Sequence, residues 1–374
     1  MCQSISSIQQ CYATPSAGMH PSHTLPRKLR GIRNAGFTLT EIALPDLEGF
    51  AEQEHPGYRK ISLSGEGDVD ILCMVARKAS GICNELGLKV LAMHPFSKFE
   101  GYEETSKREE SFERAATWFK VLQALDCQIL QVGSSDDPSS SPDLDVIARD
   151  LRQLADEADS QSPPIKIAYE LWAWAAHVNT WEGAWEVCKR VDRPNFGLCL
   201  DTFQICARTY MNPAPSTDGA DLFPISPGAP LAPQLSASLH KLTETLTAPA
   251  AQEKIFYFQI SDASGPAKIR SADLVKVAAE KGISPLYAWS NAWRPLPYME
   301  EIDAGKHYGC FMPVLDVIEA VLGTGWRGPW SYEVFYEEDM SRDDPNVPEK
   351  WARAAMESHQ KILQALEPLH VGEK

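Results

Sequence analysis

The chain has 374 residues, 44% of them hydrophobic, enough for one large barrel or two ordinary domains around a buried core. Its formal net charge of −16 excludes a broad phosphate-binding surface, so nucleic acid is not an expected partner and an anionic small substrate needs a locally basic pocket. There is no basic leader, no apolar stretch of membrane-spanning length and no Cys-x-x-Cys pair among the nine cysteines, which predicts reduced thiols in a cytoplasmic globular protein without membrane contact.

Alternation and apolar runs predict strands near 3–8, 38–43, 89–94, 128–132, 165–170, 196–201, 255–260 and 330–335. Helical periodicity falls between them, near 25–35, 70–86, 106–125, 142–159, 180–191, 235–248, 312–323 and 347–366. Local punctuation agrees: Thr24-Leu-Pro26 opens the first helix and Gly36 closes it, Gly87 precedes the third strand, and Asn179-Thr-Trp-Glu182 carries a cap for the fifth helix. A strand–helix unit repeated eight times predicts a single (β/α)₈ TIM barrel over 1–374. The segments near 52–68, 207–234 and 261–311 are then long loops, candidate lids or walls.

Four of the apolar runs end in a polar residue able to bind a metal: Ile165 to Glu170, Phe196 to Asp201, Ile255 to Gln259 and Trp330 to Glu333. Any one of these could cap a helix or pair with an arginine. Together they place three carboxylates and an amide at the C-terminal ends of barrel strands, where this fold gathers its chemistry and where uncompensated acids are costly to bury. Such oxygen donors suit Mg²⁺ or Mn²⁺, with Co²⁺ as a third candidate, better than a structural zinc.

Tyr169-Glu-Leu-Trp172, Thr180-Trp-Glu-Gly-Ala-Trp185, Arg193-Pro-Asn-Phe-Gly-Leu-Cys-Leu-Asp-Thr-Phe203 and Trp289-Ser-x-x-x-Arg294 resemble the fungal 3-dehydroshikimate dehydratases, xylose-isomerase-like TIM barrels. Gly36-Phe, Glu41, His94-Pro-Phe-Ser97, Gly101 and Tyr332-Glu-Val-Phe335 fall in the same register. The resemblance implies a divalent metal on Glu170, Asp201, Gln259 and Glu333, and a lyase reaction removing water from 3-dehydroshikimate to give protocatechuate, in quinate catabolism or a secondary pathway. It further implies that Arg294 and Ser290 bind the substrate carboxylate, for which arginine offers a two-pronged donor, with Glu41 also on the substrate.

The chain departs from that pattern at the base. Some family members have a histidine three residues after the metal-binding aspartate; here the residue is Gln204, and an amide is not a general base. Attention shifts to His94, at the end of the third strand, as base or substrate-orienting residue. Pro45 stands where an acidic residue is expected and Lys98 follows the His94 motif, loop changes of the kind that accompany a shift of substrate. His20 and His23 follow the first strand and either line the mouth or lie in a solvated loop. Trp181 and Trp185 read as packing, whereas Trp172 and Trp289 are expected beside a planar ring, with Phe96 and Phe203 as apolar wall.

Two other readings use the same residues. A metal-dependent sugar or keto-acid isomerase or epimerase would share the enolate chemistry, and a non-catalytic barrel binding a small acid would suit Gln204. The expected partner is a small anionic cyclic substrate, with a homodimer possible. The related endonucleases need several metal-binding histidines and a basic surface, which this chain lacks.

Overall fold

The computed structural model describes residues 5–367. Their strands are β1 (Gln10–Ala13), β2 (Leu39–Ala43), β3 (Lys89–Phe96), β4 (Ile129–Gly133), β5 (Lys166–Glu170), β6 (Phe196–Asp201), β7 (Ile255–Ile260), β8 (Trp293–Arg294), β9 (Trp330–Tyr332) and β10 (Phe335–Tyr336). Eight of them, β1 to β7 and β9, close into a parallel barrel, β9 sealing against β1 through Gln10 opposite Trp330. The remaining two, β8 and β10, form an antiparallel pair with Arg294 opposite Phe335.

Most strands and helices lie within a residue or two of their expected positions. The first strand does not: Ile5–Ser7 is a single 3₁₀ turn, residues 3 and 4 lie outside the described ones, and the barrel strand follows at Gln10–Ala13. A parallel strand covered on both faces needs a continuous apolar run, which Cys11, Tyr12 and Ala13, all fully buried, supply and the serine-rich run before them does not.

Three expected loops are also partly helical. Leu44–Glu54 is a helix that buries Leu47, Phe50 and Ala51, with proline in its first turn. Thr202–Tyr210 starts directly after β6 because Asp201 caps it, Oδ1 accepting from the Gln204 amide at 2.9 Å. The connection after β7 holds helices at Ser271–Lys281, Pro285–Ala292 and Met299–Ile302, the second opened by Ser284 accepting from the Tyr287 amide.

The main core lies between barrel and helices, and the helix Leu25–Asn34 packs on Val347–Leu366 beside the seal between β1 and β9. Inside the barrel, Ala92, Ala168, Cys199 and Tyr257 form a second, smaller cluster. Side chains alternate along a strand, so two residues further on His94, Glu170, Asp201 and Gln259 project from the same inward side, one layer nearer the C-terminal mouth. Among the described residues no helix is long and apolar enough to cross a membrane.

Candidate active site

Oxygen atoms of Glu170, Asp201 and Glu333 lie within 4.8 Å of one another at that mouth, all three residues buried. Burial drives the Glu170 carboxyl well above the ordinary range, and the neighbouring Glu333 and Asp201 push it further. Glu333 is pushed up to about 7 by burial, against the pull of Arg294 and His94. Glu170 Oε1 is buried without a hydrogen-bond partner, while Oε2 accepts from Trp172 Nε1 at 2.9 Å and from the Gln131 amide.

Gln259 sits opposite Asp201 in the ladder between β6 and β7. Its Nε2 donates to both oxygens of Glu41, at 3.2 and 3.1 Å, while its Oε1 accepts only from the weak Cys199 thiol donor at 3.4 Å, so the carbonyl is the end able to face a cation. Glu41 itself is fully buried inside the barrel and also accepts from Tyr257 Oη at 2.9 Å and from Ser331 Oγ.

Arg294 is 1% exposed and lies among these carboxylates. Its Nη2 reaches Asp201 Oδ2 at 2.7 Å and Ser261 Oγ at 2.8 Å, and its Nη1 reaches Glu333 Oε2 and Ser290 Oγ, both at 3.3 Å. The guanidinium carbon stands 4.6 Å from the centre of the Phe203 ring. Burial works against its charge, but Asp201, Glu333 and Glu170 outweigh it and hold the group protonated. A substrate carboxylate must therefore compete with Asp201 and Glu333 for this fork.

The groups open onto a cavity of about 200 Å³ lined by His94, Gln131, Trp172, Trp174, Tyr287 and Ser290, among others. The rings of Trp172, Trp174 and Tyr287 stack in sequence, with centroids 5.1 and 4.8 Å apart, forming an aromatic pile along one side of the cavity. His94 is 2% exposed; its Nδ1 lies 3.4 Å from Glu333 Oε1 and its Nε2 is buried without a partner. Burial lowers its pKa more than Glu333 and Asp46 raise it, which favours the neutral ring. Gln204 Oε1 accepts from the Ala173 amide at 2.9 Å, tying the loop after β5 to the mouth and leaving the amide nitrogen toward the cavity.

Residues 30–362 match the xylose isomerase-like TIM barrel family. The chain belongs to that family. It is 31% identical over 363 residues to a 3-dehydroshikimate dehydratase of Neurospora crassa, covering 96% of this chain and 92% of the relative. It is also 29% identical over 341 residues to a 3-dehydroshikimate dehydratase of Pseudomonas aeruginosa, covering 88% of this chain but 38% of that longer protein. Among solved structures, a xylose isomerase-like TIM barrel/4-hydroxyphenylpyruvate dioxygenase fusion protein superposes with a TM-score of 0.67 at 23% identity, over 98% of this chain and 44% of that one.

Within this xylose isomerase-like barrel, several residues expected on the substrate lie elsewhere. Trp289 is fully buried, donates from Nε1 to the Ser264 carbonyl at 2.8 Å and packs edge-on against Phe203 and Phe223, so it supports the long connection and forms no part of the cavity wall. Glu41 lies one layer below, where it orients Gln259. Phe96 packs on Phe99 and Trp118 in the core, and Phe203 supports Arg294 from beneath. Conversely, Gln131, Trp174, Tyr287 and Asp46 line the cavity without having been singled out for it. For Gln131 a signal existed: Ile129 packs against the inner cluster, and two residues on, the same inward face carries an amide in an otherwise apolar strand.

Proposed function

We propose that this protein is a metal-dependent carbon–oxygen lyase converting 3-dehydroshikimate to protocatechuate. The observation that carries the reading is a cavity sized for one ring acid, with three clustered carboxylates and a buried arginine facing each other, in a chain similar over nearly its whole length to a dehydratase of that name. The residues suit a divalent cation. Burial and mutual repulsion raise the pKa of Glu170 and Glu333, a cost that a bound cation would relieve, and Glu170 Oε1 has no other partner. Glu170, Asp201, Gln259 and Glu333 would hold Mg²⁺ or Mn²⁺, with Co²⁺ as a further candidate, and the cation would supply Lewis-acid stabilisation of the oxyanion formed when the C–H beside the ketone is lost.

The side chains divide the remaining work. His94 Nε2, neutral and unpartnered on the cavity wall, takes the proton from the carbon beside the ketone. The protonated His94 then returns that proton to the hydroxyl on the next carbon, which leaves as water, and a further proton shift from ring carbon to the ketone oxygen gives the aromatic ring. Arg294 and Ser290 bind the substrate carboxylate and fix which carbon faces His94. The stacked Trp172, Trp174 and Tyr287 give the ring an apolar, aromatic side to pack against. Gln204 positions the loop carrying Trp172 and takes no proton itself.

The test is ultraviolet detection of protocatechuate from 3-dehydroshikimate with chelator-stripped protein, before and after adding Mg²⁺, Mn²⁺ or Co²⁺. Turnover restored by metal is the expected result. Protein that binds Mn²⁺ but forms no aromatic product would move the assignment to an isomerase or epimerase of the same family.

A further inference from the structure

Asp46 is a carboxylate at the edge of the cavity that the mechanism above does not use. It lies in the first turn of the helix Leu44–Glu54, immediately after Pro45. Its Oδ1 accepts from Lys28 Nζ at 2.6 Å, and Lys28, from the helix Leu25–Asn34, is itself 3% exposed. Its Oδ2 is buried and has no hydrogen-bond partner. Asp46 borders two spaces at once: the inner cavity of about 200 Å³ and an outer vestibule of about 710 Å³, which meet along Pro15, Pro45, Asp46, Asn291 and Phe335.

A buried carboxyl oxygen that the protein leaves without a donor, beside a cavity rich in polar groups, calls for a donor on the ligand. The oxygen is fixed in place: the hydrogen bond from the buried Lys28 ammonium to Oδ1 stops the carboxyl group rotating. A hydroxyl meets that requirement, whereas a carboxylate would be repelled. Asp46 comes to the cavity on the helix after β2 and Arg294 on β8, in the connection after β7, so the two groups are carried by different elements.

We propose that Asp46, held by Lys28, is a specificity-determining residue that accepts a hydrogen bond from a ring hydroxyl of the substrate and repels its carboxylate, so that a hydroxylated ring acid enters in one orientation. This rests on the reading of the site as one for a small polyhydroxylated ring acid. It adds a negative contact to the positive one at Arg294, and discrimination comes from the pair.

The test uses Mn²⁺-loaded protein and measures binding of shikimate and of its analogues lacking one ring hydroxyl at a time. In the wild type, removing one particular hydroxyl should weaken binding about tenfold or more, because it leaves Asp46 Oδ2 unpaired. In Asp46→Ala that penalty should fall below about threefold while the penalties for the other hydroxyls stay. Asp46→Asn, which keeps the shape and loses the charge, should show a smaller penalty than the wild type and serves if the alanine variant does not fold. A merely structural Lys28–Asp46 pair would shift all ligands alike, and an unchanged pattern of penalties in both variants overturns the proposal. Catalysis of 3-dehydroshikimate dehydration alongside that unchanged pattern leaves the functional reading standing, whereas wild-type protein that neither binds shikimate nor turns over 3-dehydroshikimate overturns both.

Discussion

Gly133 decides where Trp172 can sit. A methyl group at that position would lie 2.2 Å from atoms of the indole, far inside contact distance, so the ring rests directly on the backbone of β4. From there Nε1 holds Glu170 Oε2 at 2.9 Å. Gly133→Ala should displace the ring, release Glu170 and weaken Mn²⁺ binding roughly tenfold, the scale of losing a partner behind a metal ligand, with circular dichroism unchanged. At Arg294 the planar fork is what lets one side chain bridge Asp201, Glu333, Ser261 and Ser290. Arg294→Lys keeps the charge but offers a point donor, so KM for a carboxylate substrate should rise more than tenfold and sodium chloride should not restore it. At this scale the strand-end residues were legible because a carboxylate closing an apolar run is costly unless the fold uses it. Trp172 and Trp289 were not distinguishable, since each sits beside a candidate site motif and only the packing of a distant loop turns one ring to the cavity and the other to the core.

The long connection after β7 is held at its base by one carboxylate. Asp262 Oδ1 accepts from the amides of Ala263, Phe311 and Met312, at 2.6, 2.9 and 2.8 Å, joining the two ends of the excursion. Everything the connection brings to the cavity, Tyr287, Ser290, Asn291 and Arg294, rides on that knot. Asp262→Ala should open the segment to trypsin at Lys276, Lys281 or Arg270 and raise KM more than it lowers Mn²⁺ affinity, because Glu170, Asp201 and Gln259 stand on strands. Helices inside this segment escaped the sequence reading for a physical reason: Ser271–Lys281 buries only Leu274 and Ala278, so its apolar stripe is too thin to separate it from a solvated loop. The helix Leu44–Glu54 was hidden differently, following β2 without an intervening loop and ending in the polar segment that starts at residue 52. Barrel strands from β2 onward carried the strongest signal, because strands buried on both faces are nearly continuous apolar runs.

The molecule as a whole should lose stability with rising pH through Glu100. This residue is buried, accepts from the Ser135 amide at 2.8 Å and Tyr169 Oη at 3.0 Å, and its Oε2 has no partner. Burial raises its pKa from 4.5 to about 7, so the fold prefers the protonated acid. Its favourable contribution is complete below the unfolded value of 4.5 and declines as pH rises toward about 7, by about 3 kcal/mol at about 1.4 kcal/mol per unit. Denaturant unfolding of wild type and Glu100→Gln should show the variant gaining relative stability by that order between pH 4.5 and pH 7.5 and no further above it. Barrel closure was legible as eight repeated units, but its seal was not, since it depends on Gln10 meeting Trp330 across nearly the whole chain. That seal also sets a timetable. A ribosome delivers Glu170, Asp201 and Gln259 well before Arg294 and, last of all, Glu333, so the nascent chain carries an incomplete chelate until β9 emerges and docks. Under the proposed metal-dependent reading, metallation would be a checkpoint of late biogenesis, and ribosome-stalled chains ending before β9 should take up no Mn²⁺ while full-length released chains do.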